Sequence, residues 1–273
     1  MTANARIDTA FTGSVAEMYE RLMVPLIFEP YAVDMAKRVA AHRPMRVLEL
    51  AAGTGVVTRQ LAVMLEPGAS IVATDLNPAM IREAERIGTA RPVEWREANA
   101  MQLPFDDGSF DAVVCQFGVM FFPDRPHAYA EARRVLRPGG LFAFNAWGAI
   151  AVNEFADTVA RALAKMFPAD PPRFMERTPH GYHDARRIEE DVARGGFKAK
   201  PQIEQVAFTS RAVSPRTPAV AYCQGTPWRG EIEARDATSL ERATDAAEEE
   251  LARTFGAGPI EGRIEALVVT VTA

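Results

Sequence analysis

Two acids and a pair of glycines carry the chemistry most readily read from this chain. Glu49 closes a short apolar run, Val47-Leu48-Glu49, and leads through Leu50 into Ala51-Ala52-Gly53-Thr54-Gly55. Asp75 closes another, Ser70-Ile71-Val72-Ala73-Thr74-Asp75. An acid at the end of a strand can accept hydrogen bonds from both hydroxyls of a ribose. Glycines ahead of a helix let the backbone turn tightly and approach a ligand that a Cβ would exclude. A side chain at Gly53 should therefore meet the ligand or the turn. A helical pattern runs from Val57 through Leu65, between the glycines and the second strand. Strand, glycine turn, helix, strand, acid is a nucleotide-binding βαβ unit.

Two adenosine cofactors compete for such a unit. A dinucleotide fingerprint wants a third glycine for close helix–strand packing beside the pyrophosphate. Here Thr58 stands in that place. A carboxylate at Glu49 would sit poorly beside a diphosphate and well beside an ammonium. S-adenosylmethionine (SAM) carries an ammonium, a sulfonium and no phosphate. Glu49 and Asp75 with the glycine run therefore favour SAM over a nicotinamide dinucleotide. A plain glycine turn in an ordinary α/β protein is the bland alternative.

The following segments sharpen the reading. Glu97-Ala98-Asn99-Ala100-Met101-Gln102-Leu103-Pro104-Phe105-Asp106-Asp107-Gly108-Ser109-Phe110-Asp111 leads into an apolar strand, Ala112 to Gln116. Glu131-Ala132-Arg133-Arg134-Val135-Leu136-Arg137-Pro138-Gly139-Gly140 closes a helix and starts a strand, Leu141 to Asn145. Over about residues 45–147 the chain resembles the class I SAM-dependent methyltransferases. The likeness is to the small-molecule branch around the ubiquinone/menaquinone-biosynthesis C-methyltransferases. Over residues 10–44 and 148–273 it is looser.

That resemblance implies a role for each matching position. Glu49 would meet the methionine ammonium, with Ala51, Gly53 and Gly55 passing along the methionyl part. Asp75 would hold the ribose and Leu76 would lie against the adenine. Asn99 and Ala100 would border the adenine edge, and Gln116 and Phe117 the methionyl group and transfer site. Asn99 stands where the family usually has Asp, so it supplies an amide and no charge.

Composition narrows the partners. The chain has 273 residues and a formal charge of −5. That balance argues against a nucleic-acid surface. Arg133-Arg134 and Arg186-Arg187 read as solvated helix faces. No apolar run reaches the roughly 18 residues of a membrane span, and Met1 to Asp8 lacks the plan of a signal peptide. Cys115 and Cys223 form no metal spacing, and Cys115 reads as a small core residue. These features fit a reduced cytoplasm and a metal-independent site.

The resemblance implies one domain over 1–273. Its fold would be Rossmann-like α/β, with a seven-stranded, mostly parallel sheet, helices on both faces and an antiparallel last strand. The SAM-binding core would take about 30–147, 184–210 and 262–273. Helical lid segments would take about 1–29, 148–183 and 211–261. Met1 to Gly13 reads as loose. Helices are expected over Ser14 to Met23, from Glu29 to about His42, near Asn153 to Phe167, over Ala185 to Arg194 and over Ser239 to Phe255. Strands are expected over Pro201 to Thr209 and Ala266 to Thr272. Glu248-Glu249-Glu250 reads as an exposed helix face.

The lid segments carry large apolar residues, including Phe11, Tyr19, Phe174, Tyr182 and Trp228, and Phe121 follows the fourth strand. Pockets for small molecules are mostly apolar, so Tyr19, Phe121, Phe174, Tyr182 and Trp228 are substrate candidates, with packing of inserted helices as the alternative. His180 and His183 bracket Tyr182 and could take a phenolic proton near neutral pH. Their alternative is a turn, with Asp184 capping the next helix. Cys115-Gln116-Phe117-Gly118-Val119 lacks the Asn/Asp-Pro-Pro-aromatic run that grips a planar nitrogen, and two scattered cysteines do not suit arsenite. The reading is methyl transfer to a small, hydrophobic or aromatic acceptor. A SAM- or SAH-binding protein without turnover and an NAD(P)-dependent oxidoreductase are the alternatives. A homodimer is compatible with the chain.

Overall fold

The structure, a computed structural model, describes residues 13–273. The loose segment expected over Met1 to Gly13, with Phe11, lies outside the described residues except for Gly13, which opens a helix. Among the described residues seven strands form one sheet: β1 (Arg46–Glu49), β2 (Ser70–Asp75), β3 (Glu94–Glu97), β4 (Phe110–Gln116), β5 (Leu136–Trp147), β6 (Gln202–Ala212) and β7 (Ile260–Thr272). Their order is β3-β2-β1-β4-β5-β7-β6. The β2–β1, β3–β2, β1–β4 and β4–β5 pairs are parallel. The last strand runs the other way. Gly139 and Gly140 exchange backbone bonds with Ala273, while Gly148 donates to Glu265, so rising numbers on β5 meet falling numbers on β7.

The chain moves outward from β1 to β3 and returns on the other side at β4. The order therefore reverses between β1 and β4, and in open α/β sheets ligands bind beyond the carboxyl ends of the strands at such a point. Val47, Leu48, Val113 and Val114 are fully buried. Central parallel strands covered on both faces read as continuous apolar runs for that reason.

The helices that follow are α1 (Gly13–Met18), α2 (Glu29–Ala41), α3 (Val56–Met64), α4 (Pro78–Ile87), α5 (Arg125–Val135), α6 (Glu154–Met166), α7 (Phe174–Arg177), α8 (Ala185–Arg194), α9 (Arg216–Gln224), α10 (Trp228–Arg235) and α11 (Leu240–Phe255). Side-chain caps fix three of their starts. Asn77, Asp124 and Asp184 accept backbone N–H bonds from Ala79, His127 and Arg186. The break expected after Met23 is absent. A π-helical segment, Tyr19–Phe28, joins α1 to α2 and contains Pro25. Proline lacks an N–H and clashes with the carbonyl four residues back, and a wider turn is one way a helix passes it. Helices α9 and α10 lie in a stretch where the sequence pattern marked only α11. No described helix is long and apolar enough to cross a membrane.

The chain divides into two compact units. The sheet unit comprises Glu29–Ala146, Tyr182–Val206 and Ala266–Ala273. Its core includes Tyr129, Phe142 and Phe144, whose rings lie 4.9 to 5.5 Å apart. Among the described residues the helical unit comprises 13–28, Trp147–Gly181 and Ala207–Glu265. There Phe155 meets Phe255 edge-on at 5.1 Å. Glu231 is buried and accepts the N–H groups of Arg173 and Phe174 while pairing with Arg177. One expectation fails here: Glu250 is buried on α11 rather than exposed, and both its oxygens receive Lys165. A partnered cation makes that burial tolerable.

Candidate functional site

The strand β1 continues for one more hydrogen bond, from Leu50 N–H to the Val114 carbonyl, before the chain turns. The turn is built on left-handed backbone. Ala51, Gly53 and Gly55 have φ of +51°, +56° and +83°. Ala52 N–H donates to the Thr74 carbonyl at 2.9 Å, tying the loop to β2. The two glycines differ in purpose. A Cβ at Gly53 would meet no protein atom within 4 Å, whereas one at Gly55 would stand 2.8 Å from Cη2 of Trp95 on β3. The expected collision of a Gly53 side chain with the turn is therefore absent, and only backbone strain and a ligand would oppose it. Gly55 is required by the indole.

Glu49 ends β1 with 2% of its surface exposed. Its Oε2 accepts the hydroxyl of Thr58 at 2.6 Å. Among the described residues no Lys or Arg ion-pairs with it. Burial pushes its carboxyl up to about 8, opposed first by the Thr58 hydroxyl and then by the field of Arg59. A buried carboxyl held by one hydroxyl suits a ligand that brings its own positive charge.

Asp75 is half-buried at the end of β2. Its Oδ2 accepts Gly53 N–H and its Oδ1 accepts Asn77 N–H, each at 2.8 Å. Burial raises its carboxyl above the usual carboxylate range, against the pull of those backbone donors. A carboxylate offers about four lone-pair directions, so each oxygen keeps capacity for a ligand hydroxyl. Next to it Leu76 is 53% exposed, one of the few large apolar side chains that is.

Asn99 is exposed, and its Oδ1 accepts Met101 N–H at 2.9 Å, closing a turn that includes Ala100. The loop beyond it is pinned by α5. Glu131 Oε2 accepts Leu103 N–H, and Arg134 donates to the carbonyls of Leu103 and Phe105 and to Asp107. Arg134 is thus a staple rather than a solvated face. Both runs that carry these residues belong to the resemblance, but their contact was not legible in the sequence.

Gln116 ends β4 beside Asn145 on β5. Phe117 follows at φ +50°, with its N–H donated to Oδ1 of Asn145 at 2.8 Å. An N–H needs an acceptor, so this bond fixes the amide's orientation and turns Nδ2 away. Asn145 is fully buried, and among the described residues its Nδ2 has no partner; the buried hydroxyl of Thr54 in the glycine turn has none either. Tyr31 meets Phe117 edge-on at 5.1 Å. Gly118 is a residue the sequence reading passed over. A Cβ there would stand 2.6 Å from Cβ of Ala51 and 2.7 Å from Sγ of Cys115. The segment after β4 can lie against the glycine turn only because that atom is missing. Cys115 itself is fully buried, and its thiol is pushed up by desolvation.

The structure distributes the other candidates over the two units. In the sheet unit, Tyr182 is buried. Its hydroxyl meets Asp191 at 3.0 Å and Tyr129 at 3.3 Å, and Arg125 lies over its ring at 4.2 Å. Arg125 also donates to the carbonyls of Val119 and Met120, steadying the turn that carries the half-buried Phe121. His183 is exposed beside the Asp184 cap. In the helical unit, Phe174 and Trp228 are buried, and Tyr19 lies 5.1 Å from Phe28. His180 is buried there too, with Nδ1 2.8 Å from the Gly148 carbonyl.

Several known proteins are similar to this chain. A family described as a methyltransferase domain matches residues 48–144. A demethylmenaquinone methyltransferase of Thermus thermophilus is 47% identical over 114 residues, covering 40% of this chain and 49% of that protein. A ubiquinone/menaquinone biosynthesis C-methyltransferase of Enterobacter sp. is 32% identical over 184 residues, covering 66% of this chain and 65% of that one. The chain thus spans between about half and two thirds of these relatives. The solved structure of phosphoethanolamine N-methyltransferase 2 from Haemonchus contortus, in complex with S-adenosyl-L-methionine, has the same fold. Its TM-score is 0.61 at 17% identity, covering 99% of this chain and 60% of that one. Over residues 48–144 the chain thus matches a methyltransferase domain and is similar to quinone-biosynthesis methyltransferases, and its fold is that of a solved methyltransferase.

Proposed function

We propose that this chain methylates a small, hydrophobic or aromatic acceptor. The observation that carries the cofactor half is Glu49, a buried carboxyl at the switch point whose side-chain partner is a hydroxyl and which, among the described residues, has no Lys or Arg ion pair. When bound, SAM supplies an activated methyl group that leaves by in-line displacement. In this reading Glu49 meets its ammonium, and the backbone at Ala51, Gly53 and Gly55 follows the methionyl part. Asp75 holds the ribose, Leu76 covers the adenine, Asn99 and Ala100 border its edge, and Gln116 and Phe117 flank the transfer point. The protein's remaining tasks are alignment and exclusion of water.

The acceptor half rests on the relatives, two of which are named for quinone methylation. Tyr19, Phe121, Phe174 and Trp228 are the proposed acceptor-side residues, and the inserted segments are proposed to supply the lid. For Tyr182 the packing described above is the better account. Of the two histidines, His180 is the better base. Its Nδ1 faces a carbonyl, which only accepts, so the neutral ring carries its proton there and Nε2 is the basic nitrogen. The chain is proposed to work in the cytoplasm.

Calorimetric titration with SAM, S-adenosylhomocysteine (SAH) and NAD tests the cofactor. SAM and SAH should bind and NAD should not; the reverse would overturn the reading. Incubation with demethylmenaquinol and a panel of phenols, followed by SAH release, tests the acceptor. Binding of SAM with no turnover on any of them would favour a non-catalytic SAM-binding role.

A further inference from the structure

Thr58 stands where a dinucleotide fold would place its third glycine, and the structure gives it a task. It is fully buried on the first turn of α3, and its hydroxyl is the side-chain partner of Glu49 at 2.6 Å. We propose that Thr58 is a positioning residue for SAM, holding the Glu49 carboxylate in the orientation and charge state that receives the cofactor's ammonium. The inference rests on the assignment of Glu49 to that ammonium and adds the residue that prepares it.

The surroundings leave Thr58 as the group suited to this. Arg59 on α3 faces Glu49 only through its field, and its Nη1 donates to the Thr54 carbonyl at 2.7 Å. Asp75 on β2 opposes ionisation of Glu49. Cys115 on β4 is a neutral, buried thiol near it. Thr74 gives its hydroxyl to the Glu49 backbone carbonyl, not to its carboxyl. A hydroxyl that donates to a carboxylate favours the charged form. Without it, desolvation would hold the proton on Glu49 more firmly, and an arriving ammonium would have to displace that proton at greater cost. The consequence is linkage: ammonium binding expels a proton from Glu49, so cofactor affinity rises with pH until Glu49 is already ionised in the free protein.

The test uses SAH, which keeps the ammonium and needs no acceptor. Affinity is measured by calorimetry from pH 6 to 8.5 in two buffers of different ionisation enthalpy, for the natural protein, Thr58→Val, Thr58→Ser and Glu49→Gln. The natural protein should bind more tightly as pH rises, by up to about tenfold per unit for one linked proton, and should release protons near pH 7. Thr58→Val should bind about tenfold or more weakly at pH 7, on the scale of a hydrogen bond to a charged group, with its rise displaced to higher pH. Thr58→Ser should restore both affinity and profile. If the valine misfolds, Thr58→Ala against Thr58→Ser gives the same comparison. Equal weakening by serine and valine would overturn the proposal, because packing rather than the hydroxyl would then matter. So would a valine with natural affinity and profile while Glu49→Gln binds poorly; the cofactor reading would survive that outcome. If Glu49→Gln leaves SAH affinity and its pH profile unchanged, the ammonium assignment itself falls.

Discussion

Asn145 accepts the backbone N–H of Phe117 at 2.8 Å, entirely within the protein, and Phe117 holds left-handed backbone at that bond. The relationship sets the path of the chain from the end of β4. A bulky side chain rarely adopts such a φ, so the strain must be offset by neighbours: this bond and the edge contact of Tyr31. Asn145→Ala should leave a buried N–H unsatisfied and cost about 1–3 kcal/mol. Urea unfolding would measure it. A variant as stable as the natural protein would show that the bond does not hold the segment.

The two glycines of the turn should separate stability from binding. Gly53→Ala faces open space, so its cost to folding is the left-handed backbone alone, about 1–2 kcal/mol. Gly55→Ala adds the collision with Trp95, and overpacking adds about 1–3 kcal/mol. Thermal unfolding should rank Gly55→Ala lower. SAH titration should instead show Gly53→Ala impaired, because there the ligand is the only close neighbour left. Undiminished SAH affinity in Gly53→Ala would mean that the ligand does not pass that position.

Asp75→Ala should weaken SAM and SAH binding alike by about 1.5–3 kcal/mol, the scale of hydrogen bonds to a charged group. It also removes the acceptor for Gly53 and Asn77 N–H, so some stability should go with it. Equilibrium dialysis on the folded variant is the check. Natural affinity there would remove Asp75 from the ribose.

Glu49 should leave a pH signature on the free protein. Its folded carboxyl keeps the proton up to about 8, against an ordinary value of 4.5. Between those values the folded state binds more protons than the unfolded chain, so stability falls as pH rises. The slope is at most about 1.4 kcal/mol per unit. The midpoint of thermal unfolding should decline across that window in the natural protein and decline less in Glu49→Gln. Saturating SAH should oppose the decline, since an ammonium then compensates the charge. Parallel curves for the two proteins would show that Glu49 titrates normally.

The parts of this protein legible from sequence are those that local chemistry fixes. Ser70 to Asp75 and Ala185 to Arg194 were bounded correctly because apolar runs, a capping Asp184 and the Gly195-Gly196 stop act within a few residues of themselves. The acids at the ends of β1 and β2 and the glycines between them were legible for the same reason. The interval expected between the helices ending at Met23 and starting at Glu29 was not legible: the chain continues there through a π-helical segment that contains Pro25.

Tertiary structure decided which side chains meet. Nothing local joins Thr58 to Glu49, Asn145 to Phe117, Trp95 to Gly55 or Arg134 to the loop at Leu103. Strand register brings Asn145 to Phe117, and the packing of helices and loops against the sheet brings the other pairs together; neither is written in the spacing of any one segment. Burial followed the same rule. Glu250 lies in an acidic run that reads as solvated, yet the packing of α11 buries it beside Lys165. A residue's type fixes what bonds it can make, and the crossing of distant segments fixes which of those bonds it does make.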